Sequence, residues 1–499
     1  MAKVPRRLSS TYSVWLITLD GVGTLVDQLV RALRVEILKG QVGARLPPTR
    51  TLAKDLGLSR NTVITAYGEL ANEGLVISHF GGGSFIGGQT SAREPGTSAK
   101  TSPVAVGAAP GELRLTKFAR RLEQLDPSPI LERPELKFDF RYGLPVLGDF
   151  PFGTWSRIVA RRASSSAVSV LGYGDAAGYL PLRAEIAQYL LRARGVRCDP
   201  EQIIITNGSQ QALDLTARIL IDPGDRVVIE EPNYEGARQA FSMAGARIVA
   251  VPVDKDGLQV NRLPARSSRC RAAYVTPSHQ FPTGAVMSAP RRRELLQWAN
   301  AQGCFVIEDD YDGELRYDIR PIEAIKGGDE NDQVIYVGTM SKVLFPSLRL
   351  GYLVSPRRLV KSFIAAKHAC DRQTPALLQT SLSDFMAQGH FNRHLLRARR
   401  LCAQRRTALL KAIEAHLGAS VTVEGANAGI HVMMWLVGRP SSDVARIVDK
   451  AAEAGVGIYP IAPYFMHAPR VAGLLLGYAS MEEEMIDEGI SRLADVLKQ

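Results

Sequence analysis

Apolar positions recur at helical spacing early in the chain and in short strand-like runs through its middle, and that change of period divides the molecule. In "TLVDQLVRALRVEILKG", Val26, Val30, Leu33 and Ile37 follow at intervals of four, three and four, which predicts a helix with one apolar face ended by Gly40. "TRTLAKDLG" predicts a short second helix stopped by Gly57. "LSRNTVITAYGELANEG" predicts a third, with Ser59 as its N-cap, Val63, Ala66, Tyr67 and Leu70 on the buried side, and Gly74 closing it. "LVISHFGGGSFIG" then alternates about the glycines at 81 to 83, as a two-stranded wing does. Helix, short helix, capped helix and hairpin is the order of a winged helix-turn-helix.

Farther on, the runs "QIIIT", "RVVIEE", "ARIVAVPV", "AAYVTP", "CFVIEDD" and "QVIYVGT" alternate with helical stretches, the pattern of an α/β fold with a large, mostly parallel sheet. From about 370 to the end the pattern predicts a smaller C-terminal α+β lobe. Between head and sheet, "GGQTSAREPGTSAKTSPVAVGAAPGELRL" carries no apolar period and cannot bury enough surface to offset its ordering entropy. The expected organisation is a winged head at 20–88, a flexible linker at 89–136 with a helix near "FARRLEQL", and the large domain at 137–499.

Composition changes this picture at one point. Residues 1–120 hold 15 Lys and Arg against 8 Asp and Glu, so +7 of the net +11 lies in the first quarter of the chain. That asymmetry favours a polyanionic partner for the head. The five cysteines are scattered and form no CxxC, which points to neither zinc nor a disulfide frame, and no metal site is expected. "SVWLITL" is too short for a signal peptide and no apolar run approaches a membrane span, so a cytoplasmic protein is expected.

The candidate partner of the head is double-stranded DNA. The third helix would enter the major groove by its N-terminal end, where Ser59 caps and Arg60, Asn61 and Thr62 face outward. Arg50 would reach a phosphate, and Gly82 would let the wing approach the backbone or the minor groove. The stretch from "LPPTRTLAKDLGLSRN" to "HFGGGSFIG" resembles the GntR-family DNA-binding domain along its whole length. Pro48 departs from it, standing where that family often has a serine cap.

In the large domain the candidate chemistry gathers around "GTMSKVLFPSLRLGYLV". A lysine whose amine is held unprotonated forms imines with aldehydes. Lys342 follows the hydroxyls of Thr339 and Ser341, and Arg349 stands seven positions on, beside an expected Gly351–Tyr352 turn. "QIIITNGSQQALDLTARIL" predicts a strand, a tight Asn207–Gly208 turn and a helix opening at Ser209 and Gln210, a ready phosphate site. In "CFVIEDDYDGEL", Asp309 and Tyr311 share one face of a strand end while Asp310 points away. "EEPNYEGAR" puts Tyr234 at another strand end, where an aromatic can stack on a flat ring.

Together with "GYGDAAGYLPLR", "TPSHQFPTG" and "IEDDYDGELRY", these stretches make residues from about 138 onward resemble fold-type I pyridoxal phosphate (PLP) enzymes, specifically class I aminotransferases. Joined to the GntR-type head, the chain resembles the MocR-type transcriptional regulators. The resemblance implies Lys342 as the Schiff-base lysine, Asp309 on the ring nitrogen, Tyr311 on the 3-oxygen and Tyr234 on the ring face. It also implies Ser209, Gln210, Ser341 and Arg349 around the phosphate, with Tyr173 reaching the phosphate of a neighbouring subunit, hence a homodimer, head-to-tail. Two positions depart from the enzymes. Phe281 replaces the asparagine of Asn-Pro-Thr-Gly, with His279 or Gln280 as substitutes. Leu475 stands where a carboxylate-clamping arginine is usual, with Arg470 the nearest alternative. The expected function is a PLP-dependent regulator that senses PLP or a PLP-reactive amine or amino acid and binds a promoter with two half-sites. The alternative is a working aminotransferase with an accessory DNA-binding head.

Overall fold

The computed structural model describes residues 17–79, 83–87, 115–123, 136–164, 172–265, 270–317 and 323–498. The chain forms two compact units, Met1–Glu112 and Leu113–Gln499.

In the first unit, α1 (Leu25–Lys39) begins with a capping box in which Thr24 and Asp27 each accept from the other's backbone N–H. Its buried stripe is Leu29, Val30, Leu33 and Ile37; Leu29 and Leu33 are fully buried, and Val26 is only partly covered. The spacing predicted the right face but began it one turn early. Pro48 precedes α2 (Thr49–Leu56) without any side-chain cap, and Gly57 stops that helix at φ +67°. Ser59 Oγ accepts the Thr62 N–H at 3.1 Å to open α3 (Arg60–Asn72). The buried Tyr67 hydroxyl donates to the Pro47 carbonyl at 2.8 Å, fixing α3 against the turn before α2. Strands β1 (Val76–His79) and β2 (Gly83–Ile86) pair antiparallel with Val76 opposite Ile86. Gly82, expected at the wing tip, lies outside the described residues.

In the second unit, the helix Lys117–Glu123 falls within the segment expected as linker, and its Arg121 donates to the Met243 carbonyl. A short β3 (Phe138–Asp139) follows. Eight strands then form the main sheet: β4 (Ile203–Thr206), β5 (Arg226–Glu231), β6 (Arg247–Asp254), β7 (Gly257–Leu258), β8 (Cys270–Val275), β9 (Phe305–Asp310), β10 (Val334–Thr339) and β11 (Gly351–Val354). Their order is β4-β11-β10-β9-β8-β5-β6-β7. The run β10-β9-β8-β5-β6 is parallel, while β11 is antiparallel to both its neighbours. Gly351–Tyr352, expected as a turn, therefore opens a strand instead. Glycine is required there, because a Cβ at 351 would stand 2.8 Å from the Gly208 backbone. Apolar side chains from strands and flanking helices bury both faces of the sheet, as parallel sheets require.

The C-terminal lobe has a four-stranded sheet of β12 (Val421–Glu424), β13 (His431–Pro440), β15 (Tyr459–Pro460) and β16 (Val471–Gly477), while β14 (Val456–Gly457) pairs with β3. Among the described residues no helix is long and apolar enough to cross a membrane.

Candidate functional site

Every strand end predicted to carry chemistry delivers it to one place. A cavity of about 690 Å³ is lined by Ser209 and Gln210 after β4, Tyr234 after β5, Asp309 and Tyr311 at the end of β9, and Ser341, Lys342 and Arg349 beyond β10. Ligands of α/β sheets bind at the carboxyl ends of the strands. Tyr173 is not among these residues: it is 92% exposed.

Lys342 Nζ donates to the Gly143 carbonyl at 2.9 Å. Burial holds its amine below the ordinary lysine range, against the opposing pull of Asp312 and Asp309. Asp309 is buried and accepts from the Tyr274 hydroxyl at 2.8 Å through Oδ2, while Oδ1 has no protein partner. Burial raises its carboxyl to about 7. On the opposite face of β9, Asp310 pairs with the fully buried Arg194, so the alternation read from the sequence is the one observed.

The corner of the cavity beside Arg349 is built around glycine. Gly208, at φ +80°, precedes the helix Ser209–Leu220, and no side chain caps that helix. A Cβ at 208 would lie 3.0 Å from the Arg349 guanidinium, which donates to the Asn207 carbonyl at 2.9 Å. Arg349 itself holds φ +50°, a left-handed conformation that non-glycine residues rarely adopt. Ser341 Oγ, buried beside it in the lining, has no protein partner.

Several contacts in and behind the lining escaped the sequence reading. Tyr142 and Tyr464 hydrogen-bond through their hydroxyls although they lie far apart in the chain. His279 Nδ1 sits 3.0 Å from the Tyr311 hydroxyl and 2.9 Å from Asp312 Oδ2, and its ring lies 5.1 Å from that of His431. Of the two substitutes for the missing asparagine, His279 is thus the one that reaches Tyr311. Gln280 is committed to its own loop: its amide nitrogen donates to the Pro232 and Phe281 carbonyls, and its oxygen accepts from Thr283. Phe281 and Leu475 are buried in one cluster with Tyr142, Tyr459 and Tyr464. Arg470 is exposed and does not line the cavity, so it cannot serve as a carboxylate clamp there.

A pH dependence follows from Asp309. Its ordinary carboxyl value of 3.8 becomes about 7 in the folded chain. Between those values the unfolded chain ionises freely while the folded one must hold the proton, so this residue's contribution to stability is complete below about pH 4 and declines as pH rises to about 7. Urea titrations of the cofactor-free protein across that window should therefore show a shallower decline for Asp309→Asn than for the parent. Parallel declines would mean the carboxyl is not held in its neutral form.

The aminotransferase class I and II family model matches residues 147–493, and the bacterial regulatory protein gntR family model matches residues 25–86. The chain is 39% identical over 469 residues to the probable rhizopine catabolism regulatory protein MocR of Rhizobium meliloti, covering 93% of this chain and 92% of that one. It is 34% identical to a 2-aminoadipate transaminase of Thermus thermophilus, covering 74% of this chain and 92% of the enzyme. The solved α-aminoadipate aminotransferase LysN from Thermus thermophilus, complexed with N-(5'-phosphopyridoxyl)-L-leucine, superposes with a TM-score of 0.70 at 33% identity, covering 77% of this chain and 97% of that structure. The fold and cavity thus define an aminotransferase-type domain, which implies pyridoxal phosphate as cofactor. With its GntR-family head, the chain belongs to the MocR-type family of helix-turn-helix regulators.

The residues present fit that cofactor. Ser341 Oγ and Asp309 Oδ1 are buried polar atoms lacking protein partners on the cavity wall, and a guanidinium sits at an uncapped helix N-terminus.

Proposed function

We propose that this protein is a PLP-dependent transcriptional regulator in which the aminotransferase-type cavity detects a ligand and the winged head reads DNA. The observation that carries this reading is the occurrence in one chain of the Lys342 cavity and of α3, whose opening residues Arg60 and Asn61 are exposed, as is Arg50 on α2. When bound, PLP supplies an aldehyde that condenses with amines. Ser209, Gln210, Ser341 and Arg349 would hold its phosphate, and Asp309 would pair with the ring nitrogen, which favours the ionised carboxylate. Tyr311, steadied by His279 and Asp312, would meet the 3-oxygen, and Tyr234 would cover the ring face. The exposure of Tyr173 supports its use by a neighbouring subunit, in a head-to-tail homodimer whose two heads would meet two half-sites. Such a regulator acts in the cytoplasm.

Sensing requires only that a ligand bind two arrangements of the chain with different affinity. Efficient transamination requires more, including a grip on the substrate carboxylate. Phe281 and the buried Leu475 occupy the positions where the enzymes carry asparagine and arginine, which supports detection over turnover. The retained Lys342, Asp309 and Tyr311 favour a second reading, partial or full transamination with an accessory head. Steady multiple turnover with ordinary amino donors would establish it.

The head is tested by Arg60→Ala. Binding to a cognate promoter fragment should weaken by about 1–3 kcal/mol if Arg60 contacts a base edge. Competition titrations at fixed salt measure it, and parental affinity would remove α3 from the groove.

A further inference from the structure

The proposed PLP-dependent reading puts Tyr311 at the 3-oxygen, and a role for two residues behind it rests on that reading. β8 and β9 are parallel neighbours, so the loop after β8 meets the residues just past β9. There His279 Nδ1 lies 2.9 Å from Asp312 Oδ2 and 3.0 Å from the Tyr311 hydroxyl. The His279 and Asp312 side chains are enclosed by their own chain, with exposures of 0% and 1%. A neighbouring subunit therefore adds no contact to either. Main chain closes over the pair where side chains would not fit. A Cβ at Gly429 would stand 2.6 Å from Asp312 Oδ2, and one at Gly284 would stand 2.8 Å from His279 Nε2. Arg316, donating to the Ser278 carbonyl at 3.3 Å, and His431, its ring centred 5.1 Å from that of His279, stand beside the pair. Asp309, Lys342 and Arg349 lie in the lining beyond.

Atom types set the direction of these hydrogen bonds. An ionised carboxylate only accepts, so a nitrogen 2.9 Å from Asp312 must carry a proton. Tyr311, at 3.0 Å from the same nitrogen, then accepts a share of that proton. Its own hydroxyl proton is left for another acceptor, and Tyr311 lines the cavity. Across the ring, Nε2 lies 3.4 Å from the Gly425 carbonyl, a second acceptor. Without the carboxylate, the ring can therefore carry its proton on Nε2 and accept from Tyr311 on Nδ1.

We infer that Asp312 is a positioning residue: through His279 it keeps the Tyr311 hydroxyl proton turned into the cavity, as a donor to the 3-oxygen of PLP.

The test is a pH titration of the full-length chain loaded with PLP, read as the midpoint of the change in its visible absorption. A donor to the 3-oxygen stabilises negative charge there and so disfavours a proton on the nitrogen joined to the cofactor. Tyr311→Phe should raise the midpoint by about one unit or more, the scale of a hydrogen bond to a charged group. Asp312→Asn should raise it by about half a unit or more, because the new amide donates to Nδ1 and Tyr311 turns its proton to that nitrogen. The sign separates this from simple loss of charge. Asp312 favours a proton on Lys342 Nζ, so removing its charge alone would lower the midpoint. In the Tyr311→Phe background, Asp312→Asn should give no rise. A smaller rise or a fall in the parent background, or any rise in the Tyr311→Phe background, overturns the inference. Should Asp312→Asn take up no cofactor, the nitrogen-15 shifts of the His279 ring in the loaded parent decide: a protonated Nδ1 upholds the inference and a bare one overturns it. A parent chain that takes up no PLP would instead sink the reading beneath, and the absence of any visible band identifies that failure.

Discussion

Reconstituted with PLP and reduced with borohydride, the parent chain should gain the mass of one phosphopyridoxyl group, which is one cofactor less the oxygen lost on condensation and reduction, and the Lys342→Ala chain should gain none. The expectation rests on three features of position 342. Its amine lines the same cavity as Asp309 and Arg349, so a cofactor seated by those residues lies within its reach. Burial lowers its pKa, which raises the fraction of the neutral, nucleophilic amine at physiological pH. It donates to the Gly143 carbonyl rather than to a carboxylate, so no ion pair holds it in the charged form. Lys342→Arg keeps a cation in the cavity but offers no such nucleophile, and it should also gain no mass. The visible absorption of the loaded protein should disappear in both variants. If the parent gains no mass, or if Lys342→Ala gains as much as the parent, the assignment of the lysine is wrong.

A second large effect is expected on the other face of β9. Arg194 is among the most deeply buried large side chains, paired with Asp310, donating to Ser278 Oγ at 2.5 Å and to the Gly313 carbonyl at 3.3 Å. Asp310 also accepts from Tyr336, and Glu314 nearby accepts from Tyr189 at 2.7 Å. Burial, then the neighbouring Asp310, raises the Glu314 carboxyl and Arg194 pulls it back down, so the guanidinium favours the ionised form of the acids around it. Truncating it to methionine would leave Asp310 without its cation in a dry interior. The cost of breaking such a pair is about 3–5 kcal/mol. Urea denaturation followed by fluorescence from the large unit should register it. Arg194→Met combined with Asp310→Asn should recover much of the loss, because the uncompensated charge is then gone. A single-variant loss below about 1 kcal/mol would show that water reaches Asp310 and replaces the guanidinium.

How far the sequence foretold this molecule depended on the distance over which each feature acts. Helix ends written in local residues, such as Ser59 before α3 and Gly57 after α2, were legible, because a cap involves neighbours only. The parallel strands were legible as apolar runs, and the alternation of Asp309 and Asp310 followed from the period of a strand. β11 was not: the Gly351–Tyr352 pair has turn chemistry, and only the close approach of Gly208 reveals why a glycine begins a strand there. The lysine, serines and arginine of the cavity carried a resemblance. The Tyr142–Tyr464 pair, the His279–Asp312 contact and the Arg194–Asp310 ion pair carried none, since each joins segments that only the folded sheet brings together. "FRYG" or "APYF" alone holds no mark of partnership. The conformation of Arg349 was likewise hidden, because nothing in its local sequence marks an arginine for the left-handed region.

One consequence of the cavity lies outside recognition altogether. Its lining runs from Tyr142 to Tyr464 and draws on both the main sheet and the C-terminal lobe. A small molecule seated there works as a rivet through the large unit, contributing stability that grows with the logarithm of its free concentration. Cellular supply of pyridoxal phosphate would then set the lifetime of this polypeptide as well as its activity, with starved cells clearing the protein faster than replete ones.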